Sequence, residues 1–191
     1  IAACEDPSAF GEGDETYAPG GDYLSKLKEM HNGEQFTDQN GATDLLNDDF
    51  WGILALIAAG EDPDSAMIQS CGAFIKANQG EDGGWSWGTP DHPWYSGSDV
   101  DDTAAAIMAL IAAGESPSSD AIADALDYLH MNQDDGGGFG FEDWITGELV
   151  VNSASTSWVI QGIVAAGQDP TSEDWTLDDN PVNVLLTFQN T

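Results

Sequence analysis

The chain repeats itself, and the repeat limits what it can fold into more than any other feature. Ile1-Ala2-Ala3-Cys4-Glu5-Asp6-Pro7 returns as Ile57-Ala58-Ala59-Gly60-Glu61-Asp62-Pro63, as Ile111-Ala112-Ala113-Gly114-Glu115-Ser116-Pro117, and as Val164-Ala165-Ala166-Gly167-Gln168-Asp169-Pro170. Counted from Cys4, the steps are 56, 54 and 53 residues. A second landmark keeps time with the first, Gln79 returning at Gln133 and Gln189. A fixed period of this size means one supersecondary unit stacked on copies of itself, none of which folds alone. The units fall near 1–43, 44–97, 98–151 and 152–191 within one domain spanning 1–191. The first copy opens in mid-unit, so the chain reads as a piece of a longer array whose remainder completes the fold.

Each period holds two helices of different character. The first runs roughly over 49–59, 103–113 and 156–166 and is apolar nearly all round, as in Thr103-Ala104-Ala105-Ala106-Ile107-Met108-Ala109-Leu110-Ile111. A helix without a polar face is buried on every side. Gly60, Gly114 and Gly167 stand where a left-handed C-cap is expected, and a proline three residues on prevents continuation. The second helix is amphipathic: Ile122, Ala125, Leu126 and Leu129 recur at helical spacing, while Asp120, Asp124 and Asp127 take the other face. Met67, Cys71, Phe74 and Ile75 repeat the pattern one unit earlier, Tyr23, Leu27 and Met30 in the leading unit, and Val182, Leu185 and Leu186 in the last. A glycine-rich acidic loop follows, Gln79-Gly80-Glu81-Asp82-Gly83-Gly84-Trp85 and Gln133-Asp134-Asp135-Gly136-Gly137-Gly138-Phe139, whose aromatic can pack on the neighbouring unit. About seven helices, buried ones alternating with amphipathic ones, describe an all-α fold, an arc of an α/α toroid with inner helices ringed by outer ones.

Three Lys, no Arg and 35 acidic residues give a net charge of −32. Such a surface repels phosphate backbones and anionic lipid, which excludes nucleic acid as a partner. Two readings of the acidity stand: a secreted or cell-surface protein kept soluble by its carboxylates, and the cytoplasm of a halophile. The absence of Arg favours the first. No stretch reaches the roughly 20 apolar residues of a transmembrane helix. Two cysteines set no disulfide framework, and Cys4 and Cys71 read as plain buried thiols.

The loop that follows each outer helix, Gln then Gly then Trp or Phe, resembles the QW-type motif of terpenoid cyclases and protein prenyltransferases, and the whole chain resembles the prenyltransferase and squalene oxidase repeat. That resemblance implies the α/α toroid. It says little of activity, because the scaffold hosts several unrelated functions, cobalamin carriers among them.

Asp99-Val100-Asp101-Asp102-Thr103-Ala104 is similar to the Asp-x-Asp-Asp-Thr-Ala signature of class II terpene cyclases. The resemblance implies Asp101 as the acid that protonates an alkene, with Asp99 and Asp102 as its partners. Neighbouring carboxylates raise one another's pKa, so one can hold a proton for general acid work. Carbocations would need aromatic faces, for which Trp51, Trp85, Trp87, Trp94 and Trp158 are candidates. A plainer reading comes from aligning the units. Asp101-Asp102-Thr103 matches Asn47-Asp48-Asp49 and Ala154-Ser155-Thr156, polar residues where a buried helix starts and an N-cap belongs.

Other sites are incomplete. Neither Cys has the Asp of a prenyltransferase zinc site two residues before it, and His31, His92 and His130 lack metal-ligand spacing. His130 reads as a cap of helix-end carbonyls and His92 as a solvated loop residue. Asn32-Gly33-Glu34-Gln35 echoes a thioester motif but has Asn32 where the Cys is required. Asp82, Asp134 and Asp135 are candidate Ca²⁺ ligands set against solvated turn carboxylates; no other cofactor is expected. The expected function is a non-catalytic repeat module of a larger surface or secreted protein that binds a small hydrophobic molecule or a protein domain. The alternative is part of a squalene-hopene-like cyclase with Asp101 as its acid.

Overall fold

The computed structural model describes residues 21–143 and 145–189, together with Ala9. The first repeat landmark, with Cys4, lies outside the described residues. Seven α-helices occur among those described: α1 (Tyr23–Glu29), α2 (Leu46–Ala58), α3 (Ala66–Ala77), α4 (Val100–Ala112), α5 (Asp120–Met131), α6 (Ser153–Ala165) and α7 (Pro181–Thr187). The three Ala-rich helices α2, α4 and α6 form the inner layer, with α4 packed between the other two. Outer helices α3, α5 and α7 each pack on the inner helix that precedes them in the chain. This is an arc of the all-α toroid, with inside and outside helices alternating along the chain.

Burial follows the two sequence patterns. In α4 Thr103 through Ile107, Ala109 and Leu110 are buried, as expected of a helix without a polar face. In α5 Ile122, Ala125, Leu126 and Leu129 are buried, while Asp120, Asp124 and Asp127 are exposed. The two end helices are less enclosed: Tyr23 and Leu186, expected on apolar faces, are about half exposed. Close approach within the inner layer depends on small residues. A Cβ added to Gly162 would lie 3.1 Å from both Cα and Cβ of Ala104, so α6 touches α4 through bare backbone.

All three inner helices end alike. Gly60, Gly114 and Gly167 have φ of 94°, 91° and 78°. The residue after each donates back into the helix, Glu61 to Leu56, Glu115 to Leu110 and Gln168 to Ile163, closing a Schellman motif. That residue also receives the preceding outer helix. Lys28 reaches Glu61 and Lys76 reaches Glu115, each at 2.6 Å. The third unit has Gln168 there instead, which accepts from the Trp175 indole at 2.7 Å. His130 lies flat on that indole, 3.6 Å between ring centres, rather than capping helix-end carbonyls.

The inner helices start one turn earlier than their spacing suggests. Asp99 is the N-cap of α4, accepting from Asp102 N–H at 2.8 Å, and Asn152 caps α6 through Ser155 N–H at 2.9 Å. Leu45 precedes α2 without a side-chain cap. The aligned residues Asp49, Thr103 and Thr156 are therefore not caps. Each is buried and bolts the aromatic of the preceding loop to the helix: Phe36 N–H to Asp49 at 2.9 Å, Trp85 N–H to Thr103 at 2.9 Å, Phe139 N–H to Thr156 at 3.1 Å. The repeated glutamines finish the loop. Gln79 donates to the carbonyls of Gly83 and Ala121, and Gln133 to those of Gly137 and Trp175.

One element was not expected. Strands β1 (Gly140–Glu142) and β2 (Leu149–Val151) pair antiparallel ahead of α6, with Gly140 opposite Val151.

Candidate functional site

The carboxylates gather where the inner helices begin. Asp99, Asp101 and Asp102 occupy the cap and first turn of α4, and Asp48 and Asp49 the first turn of α2. A helix start favours negative charge, since its free N–H groups and dipole face outward. Burial works against that charge here.

The Asp99 carboxylate is engaged as the cap. The carboxyl of Asp102, lodged one turn in, is pushed up to about 8 by burial and by the charge of Asp99, with that of Asp101 adding; a bond from the Trp87 backbone opposes the shift. Asp101 is also raised, mainly by burial and further by Asp99, while a hydrogen bond with Ser155 of α6 pulls the other way. Its Oδ1 is buried and has no hydrogen-bond partner. Asp48 is raised by burial and by the nearby charge of Asp38. At Asp102, then, the site has a carboxyl that holds its proton near neutral pH, as general acid work requires.

The structure separates the aromatic candidates. Trp85 is fully buried and its indole donates to Ile75 O at 2.8 Å, so it belongs to the core. Trp87 and Trp94 flank His92 in the loop after Trp85, with ring centres 4.4 Å and 5.7 Å away. His92 is therefore enclosed rather than solvated, with the Asp44 carboxylate 3.9 Å from its Nε2.

Trp51 and Trp158 behave differently. They hold the same repeat position on α2 and α6, where the middle unit has Ala105. Their indoles lie 5.1 Å apart across α4, and Ala105 is buried, while Trp51 remains 43% exposed. An aromatic bridge thus crosses the inner layer. Superimposing positions 51, 105 and 158 of the repeat would have exposed this pattern, since a small residue between two indoles is the signal.

The candidate Ca²⁺ ligands do not converge. Asp82 accepts from Gly84 N–H and Ser98 Oγ, and Asp134 from Gly136 N–H, each tying its own loop. Asp135 lies in the loop of Asp134, a full unit away from Asp82. Among the described residues no group of three or more His, Cys, Asp or Glu could hold a metal ion. Asn32 of the thioester-like run accepts from the Glu34 and Gln35 amides, holding a turn.

Among the described residues no helix is long and apolar enough to cross a membrane. No curated protein matches the chain. The profile of the squalene-hopene cyclase C-terminal domain matches residues 22–150, from the cap of α1 through the Asp-x-Asp-Asp run to the second strand of the hairpin. With inner helices α2 and α4, the loop aromatics Phe36, Trp85 and Phe139 and the acidic helix start inside that match, the chain belongs to the squalene-hopene cyclase C-terminal domain family.

Proposed function

We propose that this squalene-cyclase-like domain is a non-catalytic repeat module of a larger surface or secreted protein, and that its inner layer binds an extended, uncharged apolar molecule. The observation that carries this reading is the Trp51–Trp158 bridge, two indoles meeting across α4 with one of them substantially exposed. Paired indoles supply a large rigid apolar face at little cost in side-chain entropy. A charge of −32 disfavours phosphorylated ligands, so a neutral chain such as a linear polyprene suits the surface better than its diphosphate.

Titrating the protein with squalene dispersed in a neutral detergent, and following tryptophan emission, tests the proposal. Saturable quenching is expected, weakened at least about five-fold in Trp51→Ala and Trp158→Ala, since a buried aromatic contact contributes on the order of 1–3 kcal/mol. Equal affinity in both variants would remove the bridge from the binding surface.

A second reading is acid catalysis, favoured by the buried, unpartnered Oδ1 of Asp101 and its raised pKa. Incubating the protein with squalene, alongside Asp101→Asn, decides between the two. Cyclised product that disappears in the variant supports an enzyme; no product from either protein supports a binding module.

A further inference from the structure

We infer that folded Asp49 carries a neutral carboxylic acid where it clamps the loop ahead of α2, so that this clamp, unlike the threonine clamps of the two units after it, loosens as the solution turns alkaline. The comparison among units carries the inference. At the matching position the other two have Thr, and each Thr hydroxyl works twice. Thr103 accepts from Trp85 N–H at 2.9 Å and donates to Trp85 O at 3.4 Å. Thr156 accepts from Phe139 N–H and donates to Phe139 O, both at 3.1 Å. A hydroxyl can do both because it holds a proton and lone pairs together.

Asp49 reproduces half of this. Its Oδ1 accepts from Phe36 N–H at 2.9 Å, while Oδ2 is buried with no hydrogen-bond partner. An ionised carboxylate has only lone pairs, so ionisation would leave an uncompensated charge in the core. Protonation removes that charge while Oδ1 goes on accepting from Phe36 N–H.

The surroundings favour the neutral form. Asp48 on the same helix adds negative charge; the Phe36 N–H and the Cys71 thiol of α3 pull the other way but less than burial does, and that thiol is itself pushed up by burial and by Asp49. From the loop after α1, the His31 ring meets Phe36 edge-on at 5.5 Å, and burial holds it toward its neutral form. Among the described residues no titratable group of α4 and no cation acts on Asp49. In keeping with this, burial pushes the Asp49 carboxyl up to about 7.

Cys71 is the local reporter, a buried free thiol against the clamp. Its alkylation rate by iodoacetamide, read by peptide mass so that Cys4 is counted apart, follows opening of this unit. The comparison is with Asp49→Asn, which has an acceptor and a donor at every pH. In the opened unit the thiol is free of residue 49, so dividing one rate by the other cancels thiolate chemistry and the titration of Asp102, which both proteins share. Once opened, the carboxyl regains its ordinary value, so the native-to-variant ratio should rise on the order of ten-fold between pH 5.5 and 8.5. A ratio that stays constant over that range would overturn the inference. Should the Asn variant fail to fold, Asp49→Thr gives the same comparison with the residue the other units use.

Discussion

At Asp102 two acidic neighbours and the protein interior act on one carboxyl, and the consequence has a definite sign. A folded value of about 8, against an ordinary one near 3.8, means the folded chain binds a proton that the unfolded chain has released. Stability contributed by the neutral form is full below about pH 4 and is lost as pH rises toward 8. Asp102→Asn keeps an acceptor for the Trp87 backbone and removes the charge. The variant should unfold at higher urea than the native chain at pH 9, by on the order of 2 kcal/mol after allowing for partial solvent access, and by nearly nothing at pH 4. Urea midpoints at the two pH values check this. Asp101→Asn should be quieter in stability, because Asp99 rather than Asp101 caps α4.

At the scale of elements, caps and bolts make separable predictions. Asp99→Ala removes the only side chain capping α4 and should cost about 1 kcal/mol in thermal or urea unfolding. Thr103→Val keeps the shape but leaves Trp85 N–H buried without its acceptor, a larger loss of roughly 1–3 kcal/mol. Thr156→Val should lose a similar amount through Phe139. A smaller loss for Thr103→Val than for Asp99→Ala would mean the bolt is not what seats the loop.

These elements were legible in the sequence to different degrees. All seven helices could be read, because an unbroken apolar helix and an amphipathic one have different periodicities and glycine marks the inner ends. The spacing places the starts a turn too late because the run Asn47-Asp48-Asp49 and its counterparts look like caps. Thr103 reveals its role only through a bond to Trp85, 18 residues earlier in the chain. The repeat does not announce the hairpin, because the equivalent stretch of the previous unit is a loop. Pro90 and Pro93 remove backbone donors there, whereas the segment from Gly140 to Val151 has no proline and ends in Leu149-Val150-Val151. At the site, the acids could be read from the sequence, but Ser155 as the partner of Asp101 could not, since it comes from the next helix.

For the whole molecule, charge and layering dominate. Lys26, Lys28 and Lys76 are each tied to a glutamate, and nearly all remaining charge is negative. Self-repulsion of this size weakens the compact state and is screened by salt over about 10 Å at 0.1 M. The melting temperature should therefore climb steadily as NaCl is raised from 10 mM to 1 M. A flat profile would show that the acids are spread too widely to repel. The inner layer is tightly packed where Gly162 lets α6 lie against Ala104 of α4. Site-resolved amide hydrogen exchange tests the layered arc most directly. The account predicts that amides of α4 from Ala104 to Leu110, with those of Trp85 and Phe139, exchange only on global unfolding, while α1, α7 and the hairpin exchange far sooner. Fast exchange through the Ala-rich core of α4, at the rate of the outer helices, would contradict an inner layer enclosed by an outer one.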